Sequence, residues 1–425
     1  MKVIKYPSRT EWPELLRRPS IELASLENIV APILSDVKEC GDAALKKYTL
    51  QFDKATIENF SVSKMEMEEA GALLAPELKA AIQLAKSNIE KFHEIQKSAV
   101  QVVETAAGVN CWRKSVAIEK VGLYIPGGTA PLFSTVLMLA VPAQLVGCRE
   151  IILCTPPDEN GKINPAIVFA AQCCGIDKIF KVGGVQAIAA MAYGTESVPK
   201  VYKLFGPGNQ YVTCAKQLIN KSGTAIDMPA GPSELAMLVD ESCIPEFVAA
   251  DLLSQAEHGA DSQVILVSAN EELISEIQKE LIKQVEKLPR ASFAKKALEN
   301  SKAFLVKDQQ EGIELLNEYA PEHLIIACRS DEALAEMVIN AGSVFLGNYS
   351  CESAGDYASG TNHTLPTNGY AKAYSGVSLD SFVKKITFQK ISKEGLMNIG
   401  NAIELMAEAE GLQAHKNAVT VRLKK

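Results

Sequence analysis

A glutamine and a histidine end one apolar stretch of this sequence, where they could bind a metal ion or act on protons. In LLSQAEHG, Gln255 and His258 stand three residues apart. On a helix both side chains would lean to one face, which is a usual way to offer two ligands from a rigid element. Polar groups that only packed a core would each need a partner, so the segment calls for a functional explanation.

A second group of polar side chains lies in NYSCESAGDYASGTNHTLPTNG, which starts at Asn348. This segment carries Asp356 and His363 between apolar segments, and we expect a long loop, a kind of element that is often functional. Asp356 is a hard oxygen ligand that would complement histidine nitrogen around zinc. An Asx turn before Tyr357 is the simpler explanation of this aspartate when the pattern is taken alone.

The segment PEHL sets a carboxylic acid, Glu322, beside an imidazole, His323, at the entry to a predicted strand, HLIIACR. The pair has the right parts for proton removal, because histidine titrates near neutral pH and the carboxylate can act on a second proton. On its own, His323 could equally be a hydrogen-bonded histidine at a strand edge.

The C-terminal tail contains EAEGLQAHKNAV, in which Glu410 and His415 are five residues apart. A histidine near a helix end is more often a cap than a ligand. No local spacing such as HExxH joins the histidines into a zinc motif. Pattern alone therefore does not establish a metal site made of Gln255, His258, Asp356 and His415.

The predicted secondary structure that must position these groups changes along the chain, from helices to alternating strands and helices. From about residue 13 to 105 apolar positions recur at three and four residue intervals, which predicts helices, with His93 on a solvated face. From Val116 onward β-rich runs alternate with helical ones. The runs are VGLYIPGG, REIILCTPP, DKIFKVGG and VYKLFGPGN, then, after MPAGPSE, ELAMLVD, SQVILVSA, KAFLVKD, HLIIACR and SVFLG.

This alternation predicts the fold class. Strands that alternate with helices imply right-handed crossovers and mainly parallel sheets covered on both faces. The Pro and Gly residues of MPAGPSE mark the crossing between two series, and 425 residues are too many for one ordinary core. We predict an α/β protein with two Rossmann-like doubly wound units, plus helical N-terminal and C-terminal segments.

Three strand-to-helix turns of the first series could hold a dinucleotide. They are YIPGG from Tyr124 to Gly128, GGVQ ending at Gln186, and GPGN ending at Asn209. Backbone N–H groups and the helix dipole favour phosphate at such turns, and glycine allows a close approach. None is a GxGxxG fingerprint, and plain tight turns are the commoner explanation of such glycines.

Composition excludes several classes of partner. With 43 basic and 51 acidic residues the net charge is -8, so we expect no nucleic acid partner. The start MKVIKYPSRTEWPELL lacks the apolar core of a signal peptide, and TVLMLAVPAQLV is too short and Pro-broken to span a bilayer. We expect a cytoplasmic protein that does not bind membranes. The ten cysteines, without a CxxC pair, are interpreted mostly as buried and reduced.

Seven motifs together resemble the histidinol dehydrogenase family: YIPGG, GPGN, IDMPAGPSE, LLSQAEHG, APEHL, GDYASGTNHTLPT and EGLQAHKNAV. The match runs in order from about residue 20 to the C terminus. It implies oxidation of L-histidinol to L-histidine through a retained histidinaldehyde, with two NAD reduced per turnover and one Zn²⁺ per subunit. His323 would remove the hydroxyl proton, and Glu322 would help water to add to the aldehyde.

The resemblance also implies a role for each matching position. The implied zinc ligands are Gln255, His258, Asp356 and His415. The implied general acid/base pair is Glu322 and His323. The implied NAD-binding residues are Tyr124, Gln186 and Asn209. The implied substrate contacts are Ser233, Gln255, His258, His323, Asp356, His363, Glu410 and His415.

The resemblance finally implies a homodimer with shared active sites. The C-terminal tail would cross to the other subunit, where Glu410 and His415 complete the neighbour's site. The first Rossmann-like unit would be inserted within the second, which also recruits the N-terminal helices. The expected parts are an N-terminal arm (1–20), a discontinuous catalytic domain (21–123 and 235–375), an inserted NAD-binding domain (124–234) and a helical tail (376–425).

Three other functions compete with this interpretation. In a cysteine-dependent NAD aldehyde dehydrogenase, Cys111, Cys154 or Cys351 would hold the aldehyde as a thiohemiacetal. A metal hydrolase would use the same Asp and His ligands without reducing a nicotinamide. An α/β scaffold that only binds a small molecule or protein fits least well, because it does not explain the histidines and acids on loops and helix ends.

Overall fold

The computed structural model describes residues 1–19, 23–127, 131–229 and 231–424. Gly128 of the YIPGG turn and Ala230 of MPAGPSE lie outside the described residues. Within them the strands are β1 Lys2–Lys5, β2 Val102–Ala106, β3 Val109–Ala117, β4 Lys120–Tyr124, β5 Glu150–Thr155, β6 Lys178–Lys181, β7 Lys203–Phe205, β8 Ala225–Ile226, β9 Glu234–Val239, β10 Gln263–Ser268, β11 Lys302–Leu305, β12 His323–Ala327, β13 Ser343–Leu346 and β14 Val383–Ile391.

The same residues form α-helices that cover the sheets and build the tail. They are α1 Trp12–Leu15, α2 Leu23–Cys40, α3 Asp42–Asp53, α4 Lys64–Leu73, α5 Pro76–Glu94, α6 Phe133–Val146, α7 Pro165–Cys173, α8 Gly184–Tyr193, α9 Gln210–Lys221, α10 Pro245–Ala256, α11 Glu271–Val285, α12 Ala291–Asn300, α13 Gln309–Tyr319, α14 Asp331–Ala335, α15 Glu352–Tyr357, α16 Lys393–Ala409 and α17 Gln413–Leu423. In the described part of the chain, no helix has both the length and the apolar character needed to cross a bilayer.

A six-stranded, fully parallel sheet combines the five strands of the second series with β1 from the N-terminal arm, in the order β1-β11-β10-β9-β12-β13. Its inner strands are buried along their whole length, as ELAMLV in β9 illustrates. Leu235 and Met237 pack into one apolar cluster, while Ala236 and Leu238 pack into another on the opposite face. A strand covered on both faces needs apolar side chains at every position, which explains the unbroken apolar runs.

A five-stranded, fully parallel sheet carries the first series in the order β6-β5-β4-β7-β8. Each of the nine β-rich runs found in the sequence forms a strand of one of these two sheets. The predicted fold class, with two units built on mainly parallel sheets, is confirmed. Because all strand pairs in the two sheets are parallel, the carboxyl ends of the strands share one edge of each sheet and the amino ends share the other.

The N-terminal helices pack against helices of the five-stranded sheet. Val30 of α2 and Leu45 of α3 share a core cluster with Ile188 of α8. Ile89 of α5 shares the other cluster with Leu137 of α6. Amphipathic helices bury their apolar stripe against the nearest apolar surface, here the outer faces of α6 to α9. The domain boundaries themselves stay a proposal.

A third sheet is antiparallel, in the order β14-β3-β2, and the sequence analysis missed it. Helices were expected up to residue 105 and again from 376. Instead β3 and β14 pair from Val109 to Ala117 and from Val383 to Ile391, and Trp112 stacks on Phe388 at 5.5 Å. Most positions of β14 are exposed, so its side chains lack the buried pattern that identifies a strand. The helical part of the tail, α16 and α17, follows this strand.

Candidate active site

The predicted acid/base pair lies at the amino-terminal edge of the six-stranded sheet. Glu322 directly precedes β12 and His323 is its first residue, and both are buried. Glu322 Oε2 accepts a hydrogen bond from the backbone N–H of Glu234, the first residue of β9, at 2.9 Å. His323 Nδ1 lies 3.3 Å from the backbone carbonyl oxygen of the same residue. One residue of the neighbouring strand therefore positions both side chains through its main chain.

Carboxylates surround the imidazole of His323. Its Nδ1 lies 3.7 Å from Glu322 Oε2, and its Nε2 lies 3.7 Å from Asp356 Oδ1. Burial alone would lower the pKa of His323, but the negative charges of Glu322, Asp356 and Glu352 outweigh it and raise this pKa well above its usual value. The imidazole is thus placed where it attracts protons strongly.

Gln255 joins this cluster from the last turn of α10. Its Nε2 donates a hydrogen bond to Glu352 Oε1 at 2.8 Å and lies 3.0 Å from His323 Nδ1. The side chain is 1 % exposed, and its Oε1 has no hydrogen-bond partner among the described residues. Leaving such an oxygen unpaired costs about 1–3 kcal/mol, which a cation or a ligand donor would recover.

Two acidic side chains of α15 complete a group with metal-ligand chemistry. His323, Glu352 and Asp356 each offer one ligand atom, and these atoms lie within 4.8 Å of one another. Burial and the neighbouring Asp356 raise the pKa of Glu352 to about 8. Burial would also raise the pKa of Asp356, but hydrogen bonding to His323 and the charge of His363 lower it. Two ionised carboxylates this close, Glu352 buried and Asp356 half-buried, would repel each other, and a bound cation would relieve the repulsion.

Glu352 is the member of the cluster that the sequence analysis missed. It lies in the same quoted segment, CESAGDY, four residues before Asp356. We expected a loop there, whereas the structure contains the short helix α15. Residues four apart share a helix face, so a helical interpretation of ESAGDY would have brought Glu352 and Asp356 together. The Asp356 carboxylate faces His323 and His363 at 3.7 Å each, so it does not serve as a turn former.

The other predicted metal ligands are outside this cluster. The helix α10 ends at Ala256, so His258 lies in the turn beyond it and is exposed, and the prediction of one shared helix face was wrong. The backbone N–H of His258 donates back to the Gln255 carbonyl at 3.2 Å. His415, on α17, and Glu410, directly after α16, are both exposed on the tail.

Two predicted substrate contacts border the cluster. Ser233 is half-buried and directly precedes Glu234. His363 Nδ1 lies 2.9 Å from the Asp356 carbonyl oxygen, and its Nε2 lies 3.0 Å from Thr135 Oγ1 on α6. His363 therefore connects the cluster around His323 to a helix of the five-stranded sheet.

A cavity of about 1230 Å³ opens at the carboxyl edge of the five-stranded sheet. The three residues predicted to bind NAD all line it. Tyr124 ends β4, Gln186 lies in the first turn of α8 after β6, and Asn209 is the N-cap of α9 after β7. The volume exceeds that of most small-molecule sites and accommodates a dinucleotide.

The walls of this cavity combine a fixed phenol with an unpaired amide oxygen. The Tyr124 hydroxyl accepts a hydrogen bond from the Gly184 N–H at 3.1 Å, and burial, with a smaller effect of the Asp53 charge, raises its pKa to about 12. Gln186 is 1 % exposed and its Oε1 lacks a partner among the described residues. Asn209 Oδ1 accepts from two N–H groups of α9 at 3.1 Å, so it caps this helix.

Glycine is required where the GPGN turn meets Tyr124. Gly206 has φ +131°, and a Cβ there would lie 2.0 Å from the Tyr124 carbonyl oxygen. The backbone N–H of Gly206 donates to Asp227 Oδ2 at 2.8 Å, and the buried Lys216 ammonium binds both Asp227 and the Gly206 carbonyl. A buried ion pair thus fixes the turn that carries Asn209.

Comparison with known proteins identifies the family. The family model described as histidinol dehydrogenase matches residues 16–423. Histidinol dehydrogenase of Bacteroides thetaiotaomicron is 64 % identical over 423 residues, covering 100 % of this chain and 99 % of that protein. The corresponding Bacteroides fragilis enzyme is 62 % identical with the same coverage.

Solved structures agree with the sequence comparisons. The crystal structure of histidinol dehydrogenase from Elizabethkingia anophelis is 57 % identical, with a TM-score of 0.97, and covers 100 % of this chain and 98 % of that one. An acetylating aldehyde dehydrogenase from Geobacillus thermoglucosidasius has a TM-score of 0.50 at 13 % identity, with 89 % and 94 % coverage, and shows similarity of fold alone. This chain belongs to the histidinol dehydrogenase family.

Proposed function

We propose that this chain oxidises L-histidinol to L-histidine through a retained histidinaldehyde and reduces two NAD per turnover. An alcohol becomes a carboxylate by losing two hydrides, so two dinucleotides are needed in turn. The observation that carries the proposal is the convergence of Glu322, His323, Gln255 and Asp356 in one buried cluster, in a chain of this family. Bases and metal-ligand groups at one point are what the two proton-coupled oxidations require.

The donor set suits one Zn²⁺ per subunit. Gln255 offers an unpaired Oε1, and Asp356 offers a carboxylate whose low pKa keeps it ionised. We propose Gln255, His258 and Asp356 as ligands, with His415 supplied by the tail of the partner subunit. When bound, the ion would orient the amino and imidazole nitrogens of the substrate and, secondarily, acidify its hydroxyl. The alternative role for Gln255 is to orient His258 from the second shell of the ion.

The chain's own residues divide the proton transfers between them. His323 would act in its neutral form, which a cation bound beside it would favour by lowering its raised pKa. It would take the hydroxyl proton in the first oxidation, release this proton to solvent, and accept a proton again in the second. Glu322 would assist the addition of water to the aldehyde between the two oxidations. Because the backbone of Glu234 holds the two side chains 3.7 Å apart, both can reach one reacting carbon without a rearrangement.

The remaining predicted residues would bind the two organic molecules. Tyr124, Gln186 and Asn209 would hold NAD in the cavity that they line. The substrate contacts proposed here are Ser233, Gln255, His258, His323, Asp356, His363, Glu410 and His415. Since His415 and Glu410 are exposed on the tail and lie outside the cluster of their own chain, we propose a homodimer in which each tail completes the partner's site. The ten free cysteines support a reducing, cytoplasmic location.

The cysteine-dependent alternative has less support. Cys154 is fully buried in β5, and burial raises its pKa far above the ordinary thiol value, which disfavours a nucleophilic thiolate. Cys111 lies in the antiparallel sheet, opposite Gln389 of β14. Cys351 precedes α15 and is the cysteine nearest in sequence to the cluster.

One assay tests the proposal. Purified protein is mixed with L-histidinol and NAD, with and without a strong chelator, and the absorbance of reduced nicotinamide is followed. We expect two reduced cofactors for each L-histidinol consumed, loss of activity on chelation and no loss after thiol alkylation. A stoichiometry of one, or a rate that survives chelation and disappears on alkylation, would contradict the proposal.

A further inference from the structure

Asp53 stands out because its position is unfavourable for the fold. It is the last residue of α3, where the negative end of the helix dipole repels a carboxylate. Its Oδ2 is buried without a hydrogen-bond partner among the described residues, and burial raises its pKa to about 6. Neither cost is compensated by another group of the chain in the described structure. A carboxylate kept under such conditions calls for a partner from outside the chain.

The surroundings of Asp53 indicate where that partner would lie. Asp53 lines the large cavity and is close enough to Tyr124 for its charge to raise the pKa of that phenol. Gln186, almost fully buried, lines the same cavity with its own unpaired Oε1. Both unpaired atoms are acceptors, so the missing partner must bring hydrogen-bond donors.

The wall around Asp53 fits the half of a dinucleotide that is remote from the reaction. Phe52, which is half exposed and next to Asp53 in sequence, lines the cavity together with the apolar Ile29 and Leu73, and these side chains offer a surface for a purine. Among the described residues that line the cavity, none belongs to the catalytic cluster around His323. His363 links that cluster to Thr135 of α6, whereas α3 packs with α8 in the other apolar core of the five-stranded sheet. Since the nicotinamide must approach the cluster, we assign the α3 side to the adenosine half.

Charge around the same wall disfavours an additional phosphate. Glu66, Glu69, Asp158 and Glu159 line the cavity together with Asp53. Two lysines also line it: the Lys181 ammonium is already paired with the Glu66 carboxylate, and Lys162 is outnumbered by the acidic side chains. A 2′-phosphate adds between one and two negative charges, which this acidic wall would repel.

We propose that Asp53 accepts hydrogen bonds from the vicinal hydroxyls of the adenosine ribose and thereby selects NAD over NADP. A carboxylate that binds a ribose diol and excludes a 2′-phosphate is a general solution to this recognition problem. Asp53 reaches the ribose from a helix that precedes the sheet, without a position in any glycine-rich turn. This inference rests on the proposed binding of NAD in the cavity.

The test compares the dissociation constants of NAD, NADP and 2′-deoxy-NAD (deoxy at the adenosine ribose) for three proteins. They are the wild type, Asp53→Asn and the control Glu68→Gln, which removes an equal charge from an exposed position on α4 outside the cavity lining. Asp53→Asn should weaken NAD binding tenfold or more, because a hydrogen bond to a charged group is lost, and should narrow the preference for NAD over NADP by at least as much. Glu68→Gln should leave both values within twofold.

The comparison of NAD with 2′-deoxy-NAD on the wild-type protein does not depend on whether any variant folds. The wild type should bind 2′-deoxy-NAD several-fold more weakly than NAD, whereas Asp53→Asn should no longer distinguish the two. Thermal stability of Asp53→Asn should stay equal or rise. If the wild type binds NAD tightly and Asp53→Asn keeps the wild-type ratio of the dissociation constants of 2′-deoxy-NAD and NAD, the role of Asp53 alone would be overturned. An equal weakening of NAD binding and NADP binding in Asp53→Asn would also overturn it. Failure of the wild type to bind NAD would overturn the cavity assignment as well.

Discussion

The two regions of this molecule use opposite edges of two parallel sheets. The cavity lies at the carboxyl edge of the five-stranded sheet, where the helices α8 and α9 begin. The cluster around His323 lies at the amino edge of the six-stranded sheet, where β9 and β12 begin and α10 ends. Helix beginnings carry partial positive charge and helix ends partial negative charge. The first edge suits a phosphate, and the second suits a cation and a protonated base.

The same contrast appears in two glutamines. Gln186 and Gln255 are both almost fully buried, and each has an unpaired Oε1. Gln186 stands in the first turn of its helix and Gln255 in the last turn of its own. The residue type is therefore identical, and the two glutamines differ in the helix end at which they stand.

The largest expected effect comes from His323→Asn. Removing the base should lower kcat for L-histidinol by about 10²–10⁴-fold, the usual contribution of general base catalysis. Binding of both L-histidinol and NAD should stay near the wild-type level, because the asparagine remains polar and the cavity is untouched. Steady-state rates and calorimetric binding measure these quantities. A rate within tenfold of the wild type would refute the assigned role.

Gln255→Ala should weaken zinc binding without affecting NAD binding in the cavity. We expect zinc retention under chelator challenge to fall by about 10–100-fold, while the Kd for NAD is unchanged. The matched control is Gln310→Ala at an exposed position of α13. Full zinc occupancy in the Gln255 variant would make this residue an orienting partner of His258 in place of a ligand.

Gln186→Ala should have the opposite pattern, with weaker NAD binding and unchanged zinc binding. Loss of one neutral hydrogen bond of about 1 kcal/mol should weaken NAD binding about fivefold and leave the zinc content at the wild-type level. Titration calorimetry and metal analysis of one preparation give both values. If NAD binding were unaffected, the comparison between the two glutamines would fail.

The smallest effect is a pH dependence of stability caused by Asp53. Its pKa is raised to about 6 in the folded state, so the folded protein binds more protons than the unfolded chain between about pH 4 and pH 6. Stability from this group therefore falls as the pH rises through that window, by about 1 kcal/mol after allowance for solvent screening. Urea unfolding of the wild type at about pH 4 and pH 6 should show this fall in the free energy of unfolding, and Asp53→Asn should lack it. An equal change in the free energy of unfolding of the two proteins between these pH values would contradict the prediction.

Sequence patterns identified what is decided locally. Buried parallel strands are continuous apolar runs, so all nine runs such as HLIIACR were found. The sheet of β2, β3 and β14 was missed because β3 and β14 lie more than 260 residues apart and most of their side chains are exposed. Pairing at such a distance leaves no local signal in the sequence.

The site residues show the same limit. His93, expected on a solvated face, is fully buried, with Nδ1 2.8 Å from the Ile89 carbonyl oxygen and Nε2 3.4 Å from Asn362 Nδ2. Its charged neighbours in sequence concealed an apolar helix face that packs against distant segments. The family motifs supplied the names of the predicted site residues, but only folding brings Gln255, His323 and Asp356 together. His258, exposed in the turn after α10, and His415, exposed on the tail, stay proposed ligands.

The backbone N–H and carbonyl of Glu234 hold the proposed acid/base pair in place, and we call these two contacts the clamp. Almost any amino acid at this position would still offer the N–H that holds Glu322 and the carbonyl beside His323, and only proline would remove the donor. The alignment of β9 with β12, where Leu235 stands opposite His323, thus sets the spacing of the reactive atoms. A single substitution therefore rarely changes that spacing. A one-residue insertion in β9 would turn its side chains to the other face and shift the clamp.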